Sequence, residues 1–482
     1  MPKSHQDDTP RDANGKSTLE TLPVAVIGAG PVGLAAAARL IERGLTPVVL
    51  EAGARVGANL IDYGHVRLFS PWKYDIDPAM ATMLERHGWQ APAEDDLPLA
   101  AEVAERVLEP FARLPEVAPH LQLDTRVLSI TREGFDKVKT FGRERAPFVI
   151  RALRDGQAFE LRARAVIDAS GTWTTPNPLG SGGLPALGEG DVARSIHYGI
   201  PDVLGAQRQR YVGKRTLVVG AGHSAANSLL ALAELARSEP GTRLVWAVRS
   251  PVLRRVFGGG SSDALPARGQ LGSQLRALRD KGELEFVPGL RISELRRAED
   301  GTLTIAGLDA GGITRSVTGI DEVVCATGQR PDLSLASELR VKLDPWLEST
   351  EALGPLIDPN EHSCGTVRPH GHRELSHPEP AFYTVGVKSY GRAPTFLMAT
   401  GFEQVRSVVA AIAGDMAAAD RVELELPETG VCSAPSSISA ASVGGCCGVP
   451  GKASESPSAS SCSNGSCGTS EPAAETTSRC CA

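Results

Sequence analysis

The sequence predicts an α/β fold of two Rossmann-like modules, followed by a cysteine-rich tail that builds no core. Three observations carry this. A strand, a glycine turn and a helix begin at residue 23, a second such set begins about 190 residues later, and the composition changes abruptly after Pro427. Apolar strand runs alternating with helical runs between Leu22 and Glu428 give the α/β class.

The first module opens with the strand Pro23–Ile27, then Gly28-Ala29-Gly30-Pro31-Val32-Gly33, then a helix through Leu34, Ala38, Leu40 and Ile41. Gly44 ends the helix, and a second strand, Thr46–Leu50, ends in Glu51. Each glycine has a task. Gly28 makes the tight turn, Gly30 lets the backbone approach a pyrophosphate, and Gly33 permits close packing of helix on strand. The helix start, with Pro31 and Val32, offers amide groups and a positive dipole end to phosphate. Glu51 lies 23 residues after Gly28, where a carboxylate accepts hydrogen bonds from ribose hydroxyls.

The second module repeats the pattern: strand Thr216–Val219, then Gly220-Ala221-Gly222-His223-Ser224-Ala225, then a helix rich in Ala and Leu. Ala225 stands at the third glycine, where a small residue still fits. The next strand, Arg243–Val248, ends in Arg249 and not in an acid. A guanidinium pairs with the 2′-phosphate of NADP, which a carboxylate would repel, so this module is expected to take NADPH. Arg254 and Arg255 lie close by in sequence. The expected boundaries are a structureless lead-in over 1–22, a first module over 23–204 and 326–426, a second inserted over 205–325, and the tail over 427–482.

Composition narrows the function classes. The 482 residues suffice for two or three domains, and a net charge of −7 argues against nucleic acid or an anionic membrane as the main partner. No apolar run is long enough to span a bilayer, and the polar first 22 residues lack a secretory core, so a cytoplasmic location is expected. Of nine cysteines, Cys325 and Cys364 precede the tail; the other seven, Cys432 among them, fall inside it. Cys446 with Cys447, Cys462 with Cys467, and Cys480 with Cys481 form three pairs. Soft thiolates bind thiophilic ions such as trivalent arsenic. A homodimer is left open.

Two glycine fingerprints in one chain resemble the two-dinucleotide-binding-domain flavoproteins. Val324-Cys325-Ala326-Thr327-Gly328-Gln329-Arg330-Pro331 is similar to that group's ATG-type strand and turn between modules, and Ala169-Ser170-Gly171-Thr172-Trp173 to its earlier counterpart. Phe382–Gly386 reads as a buried strand, and Gly401-Phe402-Glu403-Gln404 opens a helix whose start, in that group, points at the flavin. The resemblance implies FAD in the first module, with Thr327, Gly328, Gly386 and Gln404 added to the cofactor contacts. Neither module holds a Cys-x-x-Cys or Cys-x-x-x-x-Cys pair, which removes the disulfide-reductase chemistries of the group. What remains resembles the flavin-containing monooxygenases and relatives associated with arsenic and heavy-metal resistance. The monooxygenase fingerprint, Phe-x-Gly-x-x-x-His, is only partly matched by Gly190 and His197, which lie too far apart.

That resemblance implies a reaction in which NADPH reduces FAD, and the reduced flavin with oxygen oxidises a soft nucleophile: sulfur, nitrogen or trivalent arsenic. Candidate modulators near the flavin are Asn59, His197 and Lys388, and the stretch His65–Trp72 is similar to the segment lining it. Two other classes stay open: an NADPH-driven reductase of a thiophilic metal ion or quinone, and a redox-dead flavoprotein that buffers or senses metal through its tail. The run Glu361–His377 gathers His362, Cys364, His370, His372 and His377, but at no standard zinc spacing, so polar loop residues are the expectation. The terminal Cys480-Cys481 pair is similar to the vicinal-cysteine end of mercuric reductase.

Overall fold

The structure is a computed structural model that describes residues 19–251, 257, 266–361, 367–394 and 396–424. The lead-in over 1–18, Arg254, Arg255, His362, Cys364 and the whole cysteine tail lie outside the described residues.

Two five-stranded parallel sheets organise the chain. The first contains β1 (Val24–Ile27), β2 (Pro47–Leu50), β3 (Leu121–Gln122), β7 (Ala165–Asp168) and β16 (Phe382–Thr384), in the order β16-β7-β1-β2-β3. A three-stranded antiparallel sheet, β4 (Arg126–Arg132), β5 (Phe148–Arg154) and β6 (Gln157–Ala163), lies between β3 and β7 in sequence. The second parallel sheet contains β8 (Ile196–Tyr198), β9 (Arg215–Val219), β10 (Arg243–Val248), β11 (Glu285–Pro288) and β15 (Glu322–Cys325), in the order β11-β10-β9-β15-β8. It has its own antiparallel insertion, β12 (Arg291–Arg297), β13 (Leu303–Leu308) and β14 (Thr314–Ile320). The two modules share one plan. A central glycine strand has its successors on one side, and the strand that follows the insertion on the other.

That plan places the ligand sites. Strand order reverses at β1 and at β9, so each leaves a crevice at its carboxyl end, where open parallel sheets bind ligands. Register fixes the crevice walls. Ile27 pairs with Leu50 and Asp168, and Val219 pairs with Ala247 and Cys325. The strands read as continuous apolar runs because both faces are covered; every residue of β1 and β7 is buried.

The helices follow local chemistry. Helix α1 (Pro31–Glu42) starts with a proline at its first position and ends before Gly44, whose φ of +69° closes it. A short helix, α2 (Ala58–Asp62), and the alanine- and leucine-rich α3 (His223–Ser238) follow. Helix α4 (Met398–Ile412) packs against α1 and buries Glu403 and Arg406 as an ion pair of 2.6 Å. Among the described residues, no helix is long and apolar enough to cross a membrane. One expected boundary moves. Strand β8 belongs to the second sheet, so that module takes in residues before 205, because β8 pairs edge-on with β15.

Candidate functional site

The first glycine turn is built as its sequence predicts. Gly28 has φ +97°, and a Cβ there would lie 2.8 Å from the Ala169 carbonyl oxygen. At Gly33 a Cβ would lie 2.0 Å from the Gly28 oxygen, so helix and turn are in backbone contact. Gly30 is the opposite case: nothing lies within 4 Å of its Cβ position. Open space therefore faces the start of α1, whose first-turn amides have no acceptor inside the helix. The start of α4 converges on the same place, since a Cβ at Gly401 would lie 2.5 Å from a Val32 methyl. Two positive helix ends around an open glycine fit a pyrophosphate.

Glu51 braces this turn. Its carboxylate accepts from the Ala29 amide and the Gly53 amide, both at 2.7 Å. Each oxygen keeps lone-pair capacity for a ribose hydroxyl, but the first task of the side chain is to hold the loop.

The second turn repeats the geometry with different residues. Gly220 has φ +141°, and a Cβ there would lie 2.2 Å from the Ala326 oxygen; Gly222 again faces open space. Ala225 is fully buried in the third place. With no acid at the strand end, other side chains hold this loop. The Trp246 indole N–H donates to the Gly220 oxygen at 2.8 Å. Sequence reasoning missed this residue, although a tryptophan in a buried strand needs an acceptor for its N–H. Arg249 is exposed and donates to the Ser181 oxygen at 3.1 Å.

The two crossings between modules lie side by side. Asn177 donates its backbone amide to Gly328 and its side-chain amide to the Thr327 oxygen, while the Thr327 hydroxyl donates to the Asn177 oxygen. The modules also meet at Phe69, which lies 5.2 Å from the His223 ring at the start of α3. Within the first module, Tyr63 lies 4.6 Å from Trp173. Trp173 donates its indole N–H to Asp62 at 3.1 Å, and its ring abuts Gly199. The 65–72 segment of the first module thus lies against the second glycine turn.

The three candidate modulators are placed differently. Asn59, on α2, approaches Gly171, whose Cβ position lies 3.8 Å from the Asn59 amide nitrogen. Lys388 is 3% exposed; its Nζ donates to Asp168 Oδ2 at 2.7 Å and to Ser170 Oγ at 2.9 Å. It is therefore half of a buried ion pair at the carboxyl end of β7, beside the first turn, and not a free cation. Nothing in the sequence pairs residues 220 apart. His197 sits on β8 in the second sheet, with Nδ1 3.4 Å from the Gln207 amide nitrogen. Burial first, then Arg210 and His65, pull its pKa down, which favours the neutral ring.

Gln404 requires a correction. It is 0% exposed, and its side-chain amide is consumed inside the protein, which leaves it no polar atom to offer a ligand. Its Oε1 accepts from the Gly386 amide at 2.7 Å, and its Nε2 faces His370 Nε2 and Ser389 Oγ, both at 2.9 Å. Thr327 is likewise engaged in the crossing between modules. Gly386, with φ +69°, packs against Val32 and keeps its place at the first turn.

The described histidines of the 361–377 run do not converge. His370 goes to Gln404, His372 to Asp420 at 2.8 Å, and His377 accepts from the Lys342 amide. Among the described residues, no group of three or more His, Cys, Asp or Glu side chains is arranged to hold a metal ion. Cys325 is the one described cysteine. It is buried, its Sγ lies 3.2 Å from the Thr327 hydroxyl, and burial pushes its thiol up to about 11. The tail cysteines 446, 447, 462, 467, 480 and 481 lie outside the described residues.

Residues 25–363 match the family described as pyridine nucleotide-disulphide oxidoreductase. The fold is similar to that of a bacillithiol disulfide reductase from Bacillus cereus (TM-score 0.58, 20% identity, covering 82% of this chain and 99% of that one). It is also similar to the cadaverine monooxygenase of desferrioxamine biosynthesis from Erwinia amylovora, solved with FAD (TM-score 0.59, 14% identity, covering 86% and 98%). A third is a flavin monooxygenase from Stenotrophomonas maltophilia (TM-score 0.52, 22% identity, covering 82% and 98%). At these identities the likeness establishes the fold. No curated protein matches the sequence significantly.

Proposed function

Because the chain belongs to the pyridine nucleotide-disulphide oxidoreductase family, we propose that it is an FAD- and NADPH-dependent oxidoreductase acting as a monooxygenase on a small soft substrate. The first glycine turn takes FAD and the second takes NADPH. The observation that carries this reading is the repeated turn: a first glycine against an alanine carbonyl, then an open glycine before a helix start, in both modules. When bound, FAD supplies two-electron redox chemistry and NADPH the reducing equivalents.

The chain's own residues bind, orient and exclude. Amides at the starts of α1 and α3 hold pyrophosphate, Glu51 fixes the first loop, and Arg249 offers its guanidinium to the 2′-phosphate of NADPH. Asp168 and Lys388 set a neutral, hydrogen-bonded pair at the edge of the first turn. Phe69 and His223 bring the two ligand ends together and keep water from the space between the modules. Preference for a monooxygenase over a disulfide reductase rests on Cys325, a buried thiol held far from thiolate character at neutral pH. Trivalent arsenic as the soft substrate rests on the tail's cysteine pairs alone.

The test is reduction of the purified holoenzyme by NADPH without oxygen, then aeration in the presence of a thioether, an amine or a trivalent arsenical. NADPH-dependent bleaching of the flavin followed by oxygen uptake and an oxygenated product is expected. Turnover that proceeds fully without oxygen, on a quinone or metal ion, would replace the monooxygenase with a reductase. Flavin that NADPH never bleaches would remove both.

A further inference from the structure

The loop residue His370 is 3% exposed, carries a defined tautomer, and has no part in the chemistry described above. A chain of hydrogen bonds links it to the first glycine turn. The Gly386 amide can only donate, so the Gln404 atom that meets it at 2.7 Å is the oxygen, and the Gln404 nitrogen must be a donor. That nitrogen meets His370 Nε2 at 2.9 Å, which makes Nε2 an acceptor. The other ring nitrogen, Nδ1, donates to the Arg368 carbonyl at 3.0 Å. Both ends of the imidazole are thus satisfied only in its neutral, Nδ1-protonated form.

At the far end of the chain, Gln404 and Ser389 together clamp the turn Gly386–Tyr390. The Ser389 hydroxyl donates to the Gly386 oxygen at 2.7 Å and accepts from Gln404 at 2.9 Å. This turn carries Gly386 against Val32 of the first glycine turn and delivers Lys388 to Asp168.

We infer that His370 is a positioning residue: its neutral imidazole, acting through Gln404, holds the Gly386–Tyr390 turn against the first glycine turn, and acid releases that turn together with the bound dinucleotide. The inference rests on the reading of the first module as a flavin site. Protonation converts Nε2 from acceptor to donor, so two donors then face each other in a buried space, and one of them loses its partner. The groups around the ring are Glu374 on its own loop, Glu403 on α4 and the Tyr390 ring at 5.6 Å. Burial holds the His370 pKa below its ordinary value, outweighing the Arg368 carbonyl that accepts from Nδ1 and the two carboxylates, of which Glu403 is paired with Arg406.

The experiment measures FAD release from holoenzyme, by recovery of free-flavin fluorescence, across the neutral to acid range. It compares the wild type with His370→Gln and His370→Leu. Glutamine keeps an acceptor oxygen at reach for Gln404, gives up the donor to Arg368, and cannot titrate. Leucine removes the acceptor at every pH. The wild type is expected to release flavin about tenfold faster on acidification below the ordinary histidine range, the size expected when one buried donor is left unpaired. His370→Gln should show no such step, and His370→Leu should release rapidly at both ends of the range. An acid step in His370→Gln equal to that of the wild type would overturn the inference while leaving flavin binding intact. If His370→Leu fails to fold, the glutamine comparison still decides. A wild type that holds no flavin would instead bring down the functional reading on which the inference stands.

Discussion

Alanine at Gly30 separates the ligand role of the first turn from its structural role. The residue has φ −79° and ψ −176°, extended backbone that alanine adopts freely, and no atom lies within 4 Å of the new methyl. Stability of the flavin-free protein should therefore change by no more than about 0.5 kcal/mol, the usual range for a surface substitution. The methyl does, however, fill the space before the first turn of α1. If a pyrophosphate belongs there, it must move away from amides whose charge-assisted hydrogen bonds are worth roughly 1.5–3 kcal/mol each. Loss of one corresponds to a rise in the FAD dissociation constant of about 10- to 100-fold. Gly33→Ala is the control. Its methyl would lie 2.0 Å from the Gly28 oxygen, far inside ordinary contact, so the fold itself should lose on the order of 1–3 kcal/mol. Thermal unfolding of the flavin-free proteins, with fluorescence titration of FAD, reads both quantities. If Gly30→Ala binds FAD as tightly as the wild type, the phosphate-cradle argument is wrong for this turn.

Four further outcomes follow from named contacts. Gly222→Ala should raise the KM for NADPH while leaving flavin content unchanged, because its methyl meets nothing in the protein. Arg249→Ala should reduce the preference for NADPH over NADH by roughly tenfold in kcat/KM, the scale of one exposed charge-assisted contact; equal ratios before and after would show the arginine to be a bystander. Lys388→Met strands Asp168 as an unpaired buried carboxylate and should cost about 3–5 kcal/mol in chemical denaturation, with a shifted flavin absorption spectrum. Asp75 is 1% exposed with Oδ2 unpartnered among protein atoms, and burial pushes its pKa up to about 8 against a smaller opposing effect of the Ser70 hydroxyl. The folded state therefore favours the protonated acid, and its contribution to stability is present below the ordinary carboxylate range and fades as pH rises through about 8. Asp75→Asn should then raise the melting temperature near pH 8 by several degrees, and the gap should close towards about pH 4.

The parts of the molecule that the sequence displays are those fixed by local backbone demands. Gly28, Gly33 and Gly220 are where they are because a Cβ would strike a carbonyl oxygen five residues back or just past the adjoining strand. Such positions tolerate little else, and the strand, turn and helix around them can be read directly. Short strands such as β8 are harder. Three residues carry no period, and only pairing with β15 assigns them to the second sheet. The site was visible to the extent that it consists of backbone. Side chains whose partners lie far along the chain were not. Lys388 reads as an available cation until Asp168, 220 residues earlier, is seen to neutralise it. Gln404 reads as a ligand contact because it opens the helix that the resemblance directs at a flavin, but polarity says nothing about which face of that helix a residue occupies. The helix buries Gln404 on the side turned towards His370 and the Gly386 turn.

On the proposed reading, one supersecondary plan serves two different ligands. In both modules the first glycine abuts the alanine that follows the returning strand, Ala169 or Ala326, and the second faces open space. The phosphate end is thus nearly identical. What differs is how each loop is braced and what this leaves at the neighbouring strand end. In the first module the brace is Glu51, which grips two backbone amides and keeps a carboxylate where, on the proposed reading, a ribose would lie. A phosphate at that position would meet a negative charge. In the second module the brace comes from within the sheet, from the Trp246 indole. The strand end is then released from that duty and carries Arg249 at the surface. Exchanging the braces tests this directly. An Arg249→Glu substitution should turn the second module towards a ligand without the 2′-phosphate, so NADH should become the better reductant without loss of the fold. Retained preference for NADPH in that variant would show that selectivity lies elsewhere, and the contrast between the two strand ends would lose its meaning.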